Sequence, residues 1–264
     1  MELPDFSKIF HQSSKDHSKG HPPIPANSDE WPEEWKTTYY KAYPRLPKVK
    51  LDENPLPTAT ASVGTAVFGT VPAGRDFFEL VRRRKSRRDF SRTPVTKHDL
   101  SLLLKYSCGN TGPLGEESRR RRAQPSGGAR FPIEVYPIVF RPGGYLKAGL
   151  YHYNVKDHAL DVLWDREFSD ADVDGLFTYP WVKDAALTFV MTGIFWRTQN
   201  KYGERGYRYI LHEAGHIGQN VYLVSEALGL KCCALGGTRD ENLEKLIDID
   251  GVTEAVVYAL AVGR

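Results

Sequence analysis

The chain has 264 residues, 41% of them hydrophobic and 26% charged, with a formal net charge of +3. That is enough apolar material for one large core, and too small a charge to imply a nucleic-acid partner by itself. No apolar run reaches the ~20 residues of a bilayer span, and the N-terminal stretch MELPDFSKIFHQSSKDH has no apolar targeting core. The three cysteines, Cys108 and the adjacent Cys232 and Cys233, fit a reducing compartment, since neighbouring cysteines bridge each other only with strain. A cytoplasmic protein is expected, with neither membrane nor nucleic acid as partner.

Residues 1–57 are rich in proline and polar groups, which forbids a continuous helix and predicts an extended arm. Its aromatic residues Trp31, Trp35, Tyr39, Tyr40 and Tyr43 are too many for free disorder, so the arm should lie against a body or a partner chain. A linker follows over 58–74, and the regular domain runs from 75 to 264. RDFFELVRRRK has helical apolar spacing. Thr96 should cap KHDLSLLLKYSC, where Leu100, Leu103 and Leu104 form one face. A polar loop is expected over Gly109 to Arg130, with the RRRR run at 119–122 solvated.

The runs IEVYPIVF, GLYHYNV and ALDVLW read as strands, and AALTFVMTGIF as a buried strand. A helix ending at Tyr202 and a long one from about Gly206 to Leu228 come next. KCCAL and AVVYALAVG read as strands on either side of the helix DENLEKLI. The order predicts an α+β fold, a mixed and mainly antiparallel sheet packed by helices around a long central helix.

That helix contains His212, Glu213 and His216 in the order H-E-x-x-H, a spacing that lets two histidines share a zinc ion with glutamate as base. The extended form of the motif would need glycine at Gln219 and histidine at Tyr222. Glu241 and Glu244 lie beyond a strand and a turn, so no third ligand is evident, and it is the resemblance described next that implies no metal.

A basic turn carries more. Arg84, Lys85, Ser86, Arg88 and Phe90 stand in the spacing R-x-S-x-R-x-F at a helix end, where charged forks and a hydroxyl suit a phosphate and a ribityl chain. This segment resembles the opening motif of the nitroreductase superfamily of FMN enzymes. QPSGGARFPIEVYP, AGLYHYNVKDHAL, NKYGERGYRY, EAGHIGQNVYLVSEALGL and ALGG follow in matching order. Together they resemble the SagB-type branch, the FMN-dependent azoline dehydrogenases that oxidise thiazoline or oxazoline rings in ribosomally made peptides.

The resemblance implies that Arg84, Ser86 and Arg88 hold the FMN phosphate and ribityl, with Lys85 near the ring. It implies that Ser126 and Gly127 approach the flavin from the other subunit of a homodimer. Gly236 and Gly237 would bring backbone N–H groups to the flavin, and Arg264 would complete the phosphate site. Lys201 and Tyr202 match the pair implicated in removing the substrate proton. On the same resemblance, a peptide substrate and a cyclodehydratase partner are expected. Two other readings stay open: a general NAD(P)H-dependent nitro or quinone reductase, and a non-catalytic flavin-binding partner of a peptide-modifying complex.

Overall fold

The computed structural model describes residues 40, 41, 43–52, 77–114 and 116–264. Most of the arm and the whole linker fall outside them. The strands, in chain order, are β1 (Lys48–Lys50), β2 (Asn110–Leu114), β3 (Glu116–Arg122), β4 (Ile133–Val139), β5 (Gly149–Asn154), β6 (Ala159–Asp165), β7 (Leu187–Ile194), β8 (Lys231–Leu235) and β9 (Glu254–Gly263). The helices are α1 (Phe77–Arg83), α2 (Lys97–Cys108), α3 (Asp170–Asp174), α4 (Trp196–Tyr202), α5 (Arg205–Ala227) and α6 (Asp240–Ile247).

Seven strands form one sheet in the order β1-β6-β5-β4-β7-β9-β8. Every pairing among the described residues is antiparallel, so the parallel component of the expected mixed sheet is not found there. The centre is held by β4 and β7, whose register runs unbroken from Ile133↔Gly193 to Val139↔Leu187. One face of the sheet is covered by α5 and α2. Ile210, Ala214, Ile217 and Val221 recur at helical spacing along α5 and pack with Leu100, Leu103, Phe189 and Leu260 in one buried cluster. Each such aliphatic side chain contributes roughly 1.5–3 kcal/mol by leaving water. The Thr96 hydroxyl caps α2 by accepting the Asp99 N–H at 3.1 Å. The opposite face carries a second cluster, including Tyr136, Ile138, Phe177 and Leu243.

Two expectations are corrected. Residues 110–122 form the antiparallel hairpin β2–β3, not a loop. Within the RRRR run, Arg122 is buried, its guanidinium 4.6 Å above the Phe131 ring and 5.4 Å from that of Tyr40. Its planar group replaces water with ring faces. Helix α1, for its part, buries none of its residues; Phe77, Phe78 and Val81 are exposed.

The described part of the arm docks by charge and ring contacts. Lys41 Nζ lies 2.6 Å from Glu254 Oε2, the Tyr43 ring meets His152 edge-on, and β1 adds an edge strand to β6. Beneath it, a chain of alternating charge runs inward from exposed Lys48 through buried Asp161, His152 and Glu134 to Arg197. The Arg197–Glu134 contact, 2.5 Å long, ties α4 to β4. Burial pushes the His152 imidazole down, but Asp161 and Glu134 outweigh it and hold it above its usual value. Among the described residues, no helix is long and apolar enough to cross a membrane.

Candidate active site

Both clusters of candidate residues line helix α5, one near each end. At its C-terminal end sits the basic turn. Ser86 Oγ shares a 2.9 Å hydrogen bond with the Tyr222 hydroxyl, and the Arg84 guanidinium lies 5.2 Å over the Tyr222 ring. The Tyr222 hydroxyl also accepts the Ala234 N–H of β8 at 2.7 Å. One tyrosine therefore fixes two motif residues against helix and sheet.

Ion pairing sorts the basic run. Arg82 pairs with Glu79 at 2.7 Å, while Arg83 and Arg87 reach the two carboxylate oxygens of buried Glu226 at 3.3 and 3.0 Å. Arg84, Lys85 and Arg88 make no ion pair among the described residues; Arg88 lies 5.9 Å over the Trp181 ring. Three cations and a hydroxyl are thus left facing outward without carboxylates, a set whose charge and donors fit a phosphate. Sequence reasoning missed Tyr222 and Glu226, because their partners are more than 130 residues away.

The other cluster lies at the N-terminal end of α5. The turn after β3 carries Ser126, Gly127 and Gly128 against α4 and α5. Gly128 has φ 61°, and a Cβ on it would lie 2.5 Å from the Tyr202 hydroxyl and 3.3 Å from Lys201 Nζ. Glycine is required there by conformation and by space. Lys201 is buried, with Nζ 5.3 Å over the Tyr202 ring. The Tyr202 ring meets that of Tyr209 edge-on at 5.0 Å. Burial, with Tyr209 adding to it and Arg130 opposing, raises the Tyr202 phenol above its usual range. It therefore keeps its proton at neutral pH.

The structure brings Ser126, Lys201 and Tyr202 together within one chain, and separates them from Arg84, Ser86 and Arg88. Tyr209 and Tyr222 are thirteen positions apart, about 20 Å of helix at 1.5 Å per residue. Gly236 is exposed, whereas a Cβ on Gly237 would lie 1.9 Å from Thr178 Oγ1. The Arg264 guanidinium is taken by Asp99 at 2.6 Å, so its charge is already balanced. On α5, His212 and His216 are exposed and Glu213 is buried, which points the motif's members in opposite directions. Among the described residues, no group of three or more His, Cys, Asp or Glu could hold a metal.

Comparison with known proteins adds the family. The nitroreductase family matches residues 81–264. The MJ1384 protein of Methanocaldococcus jannaschii, described as a nitroreductase, is 28% identical over 186 residues, covering 70% of this chain and 89% of that protein. The trifolitoxin-processing protein TfxB of Rhizobium leguminosarum bv. trifolii is 31% identical over 62% of this chain and 46% of its own length. The microcin B17-processing protein McbC of Escherichia coli is 33% identical over 51% of each. The chain thus spans about half the length of these two processing proteins. Among solved structures, a nitroreductase-like chain from Anabaena variabilis superposes with TM-score 0.68 at 21% identity, covering 97% of this chain and 45% of that one. A chain of the E. coli microcin synthetase McbBCD complex gives 0.60 at 24%, covering 78% and 76%. At these identities the two superpositions establish the fold. The chain belongs to the nitroreductase family of oxidoreductases, and the SagB-type likeness of its motifs is matched by two peptide-processing relatives.

Proposed function

We propose that the protein is an FMN-dependent dehydrogenase that oxidises thiazoline or oxazoline rings of a ribosomally made peptide, acting as a homodimer beside a cyclodehydratase. The observation that carries this reading is the buried Lys201 set beside Tyr202 and the Gly128 turn. A reductase passing hydride from a nicotinamide needs no buried lysine. Converting azoline to azole removes one proton and one hydride, and a positioned lysine is suited to take the proton. Tyr202, which keeps its own proton, would orient the ring and steady the charge that develops. FMN supplies the hydride acceptor when bound. Arg84, Ser86 and Arg88 would hold its phosphate, with Lys85 toward the ring and Gly236 at the open turn; Gly237 is filled from within and Arg264 is neutralised by Asp99.

Helix geometry supports the dimer. Leu211, His212, Gly215, His216 and Gln219 form an exposed stripe on α5 midway between the two clusters, and nothing lies within 4 Å of a Cβ built on Gly215. A twofold axis at that glycine would bring Arg84 to Arg88 of one copy toward Ser126, Lys201 and Tyr202 of the other. The McbBCD complex and the McbC and TfxB relatives support a peptide-processing partner.

Purified dimer is to be assayed with a synthetic thiazoline peptide and, separately, with NADPH and a nitroarene. Lys201→Ala and Tyr202→Phe should keep FMN and the dimer while azoline oxidation falls by ~10²–10⁴, the range of a positioned acid or base. Turnover with NADPH alone, unaffected by either substitution, would favour the general reductase, which the match to MJ1384 also supports. An FMN-loaded monomer in light scattering would refute the shared site.

A further inference from the structure

Glu213, the glutamate of the H-E-x-x-H motif, has no role in the assignments above, yet it is the buried acid nearest in sequence to Tyr209. It is 1% exposed and makes no ion pair among the described residues. Oε1 accepts a hydrogen bond from Gln124 Nε2 at 3.1 Å, and Oε2 has no donor within hydrogen-bond distance among the described residues. The charged and titratable groups around it come from four elements. Arg122 of β3 and Arg197 of α4 act on it through space, and Glu134 of β4 and the Cys108 thiol of α2 share the enclosure. Neither arginine pairs with it: Arg197 is bound to Glu134, and Arg122, stacked between Phe131 and Tyr40, acts on it only through space. Burial therefore dominates and pushes the Glu213 carboxyl up to about 7, with Ser126 and Gln124 pulling the other way.

Two physical connections lead from this carboxyl to the proposed proton-transfer pair. One is the chain segment 124–128. Gln124 is bonded to Glu213, Ser126 interacts with it, and two residues later Gly128 lies against Tyr202 and Lys201. Ser126 Oγ accepts the Phe131 N–H at 2.9 Å, which leaves its own proton to offer. The other connection is α5, where Tyr209, one turn before Glu213, meets the Tyr202 ring and would lie 3.4 Å from a Cβ on Gly127. A neutral acid tolerates these surroundings with a single hydrogen bond. A carboxylate demands a donor for Oε2 as well, and the Ser126 hydroxyl can be drawn to it.

We propose that Glu213 is a positioning residue whose gain and loss of a proton resets the Ser126–Gly128 turn, and with it the placement of Lys201 and Tyr202. The proposal rests on the reading of that pair as the proton-transfer site. Its first test is independent of turnover. In FMN-loaded dimer labelled with ¹³C at tyrosine Cζ, the Tyr202 signal, assigned by its loss in Tyr202→Phe, should shift with pH through a neutral midpoint. In Glu213→Gln, which keeps the shape and cannot ionise, it should stay fixed. A Tyr202 signal that titrates identically in Glu213→Gln, or does not titrate in the wild type, would overturn the proposal. Should the variant fail to fold, ¹³Cδ-glutamate labelling of the wild type gives the Glu213 midpoint directly, and a Tyr202 midpoint that differs from it refutes the coupling. In turnover, azoline kcat/KM should differ about tenfold or more between the two limbs of the neutral step, and the step should vanish in Glu213→Gln. Absence of azoline oxidation would count against the proposed function and leave the two titrations to decide the role of Glu213.

Discussion

Adjacent glycines at the β8 turn should respond oppositely to one methyl group. A Cβ on Gly236 would meet only the Tyr179 hydroxyl, at 4.0 Å, which is ordinary contact. On Gly237 it would lie 1.9 Å from Thr178 Oγ1 and 3.1 Å from a Tyr179 ring carbon, while the Gly237 carbonyl is held by the Thr178 N–H at 2.9 Å. Gly237→Ala must therefore move a hydrogen-bonded neighbour, an overpacking that costs about 1–3 kcal/mol. For a domain of this size each kcal/mol is worth roughly 2–4 °C of Tm. Gly236→Ala should leave the flavin-free protein within about 0.5 kcal/mol of wild type, as surface changes do. It should nevertheless weaken FMN about tenfold, or ~1.4 kcal/mol, because the methyl group occupies the open side where a flavin edge would approach the backbone. Differential scanning calorimetry without flavin and fluorescence titration with FMN separate the two effects. Adding Thr178→Ala to Gly237→Ala should recover part of the lost stability. FMN binding by Gly236→Ala as tight as wild type would remove this turn from the cofactor site.

Tyr222→Phe keeps the ring under Arg84 and removes the hydroxyl shared by Ser86 and the Ala234 N–H, so the ratio of riboflavin to FMN dissociation constants should fall about tenfold, and an unchanged ratio would show that Ser86 needs no such anchor. The Glu213 carboxyl, near 7 when folded against 4.5 as the ordinary value, binds more protons in the native state across that interval. Its contribution to stability is then present in full below about pH 4.5, declines as pH rises, and is gone above about 7, a change of about 3 kcal/mol at 1.36 kcal/mol per unit. Glu213→Gln lacks this slope, so its Tm relative to wild type should climb from pH 5 to pH 7.5; a constant difference would mean that Glu213 is ionised throughout.

Much of this architecture is legible in local sequence. DENLEKLI is α6, KCCAL is β8 and Thr96 caps α2, because apolar period and capping chemistry act over a few residues. The hairpin β2–β3 is not, since its arginine-rich strand has weak strand propensity and its pairing slips register twice. Glu213 shows the intermediate case. Its burial can be read from Ile210, Ala214 and Ile217, which put position 213 on the apolar stripe and leave His212 and His216 off it. The familiar spacing of the histidines hides that signal.

The basic run at 82–88 is where two independent arguments meet. Sequence likeness selects Arg84, Ser86 and Arg88 by spacing and is blind to what the neighbouring arginines do. Tertiary pairing selects by charge: Glu226, buried and reached from the far end of α5, takes Arg83 and Arg87, and Glu79 takes Arg82. Nothing in the spacing requires the remaining cations to be those of the motif. A run of six positive charges in seven residues would otherwise repel itself and bind anions without preference. Engaging three of them with the two carboxylates of Glu79 and Glu226 leaves Arg84, Lys85 and Arg88 without ion pairs, with Tyr222 contacting Arg84 and Ser86. The fold thereby narrows a diffuse basic patch to a small set of donors, which is what the proposed phosphate site would require.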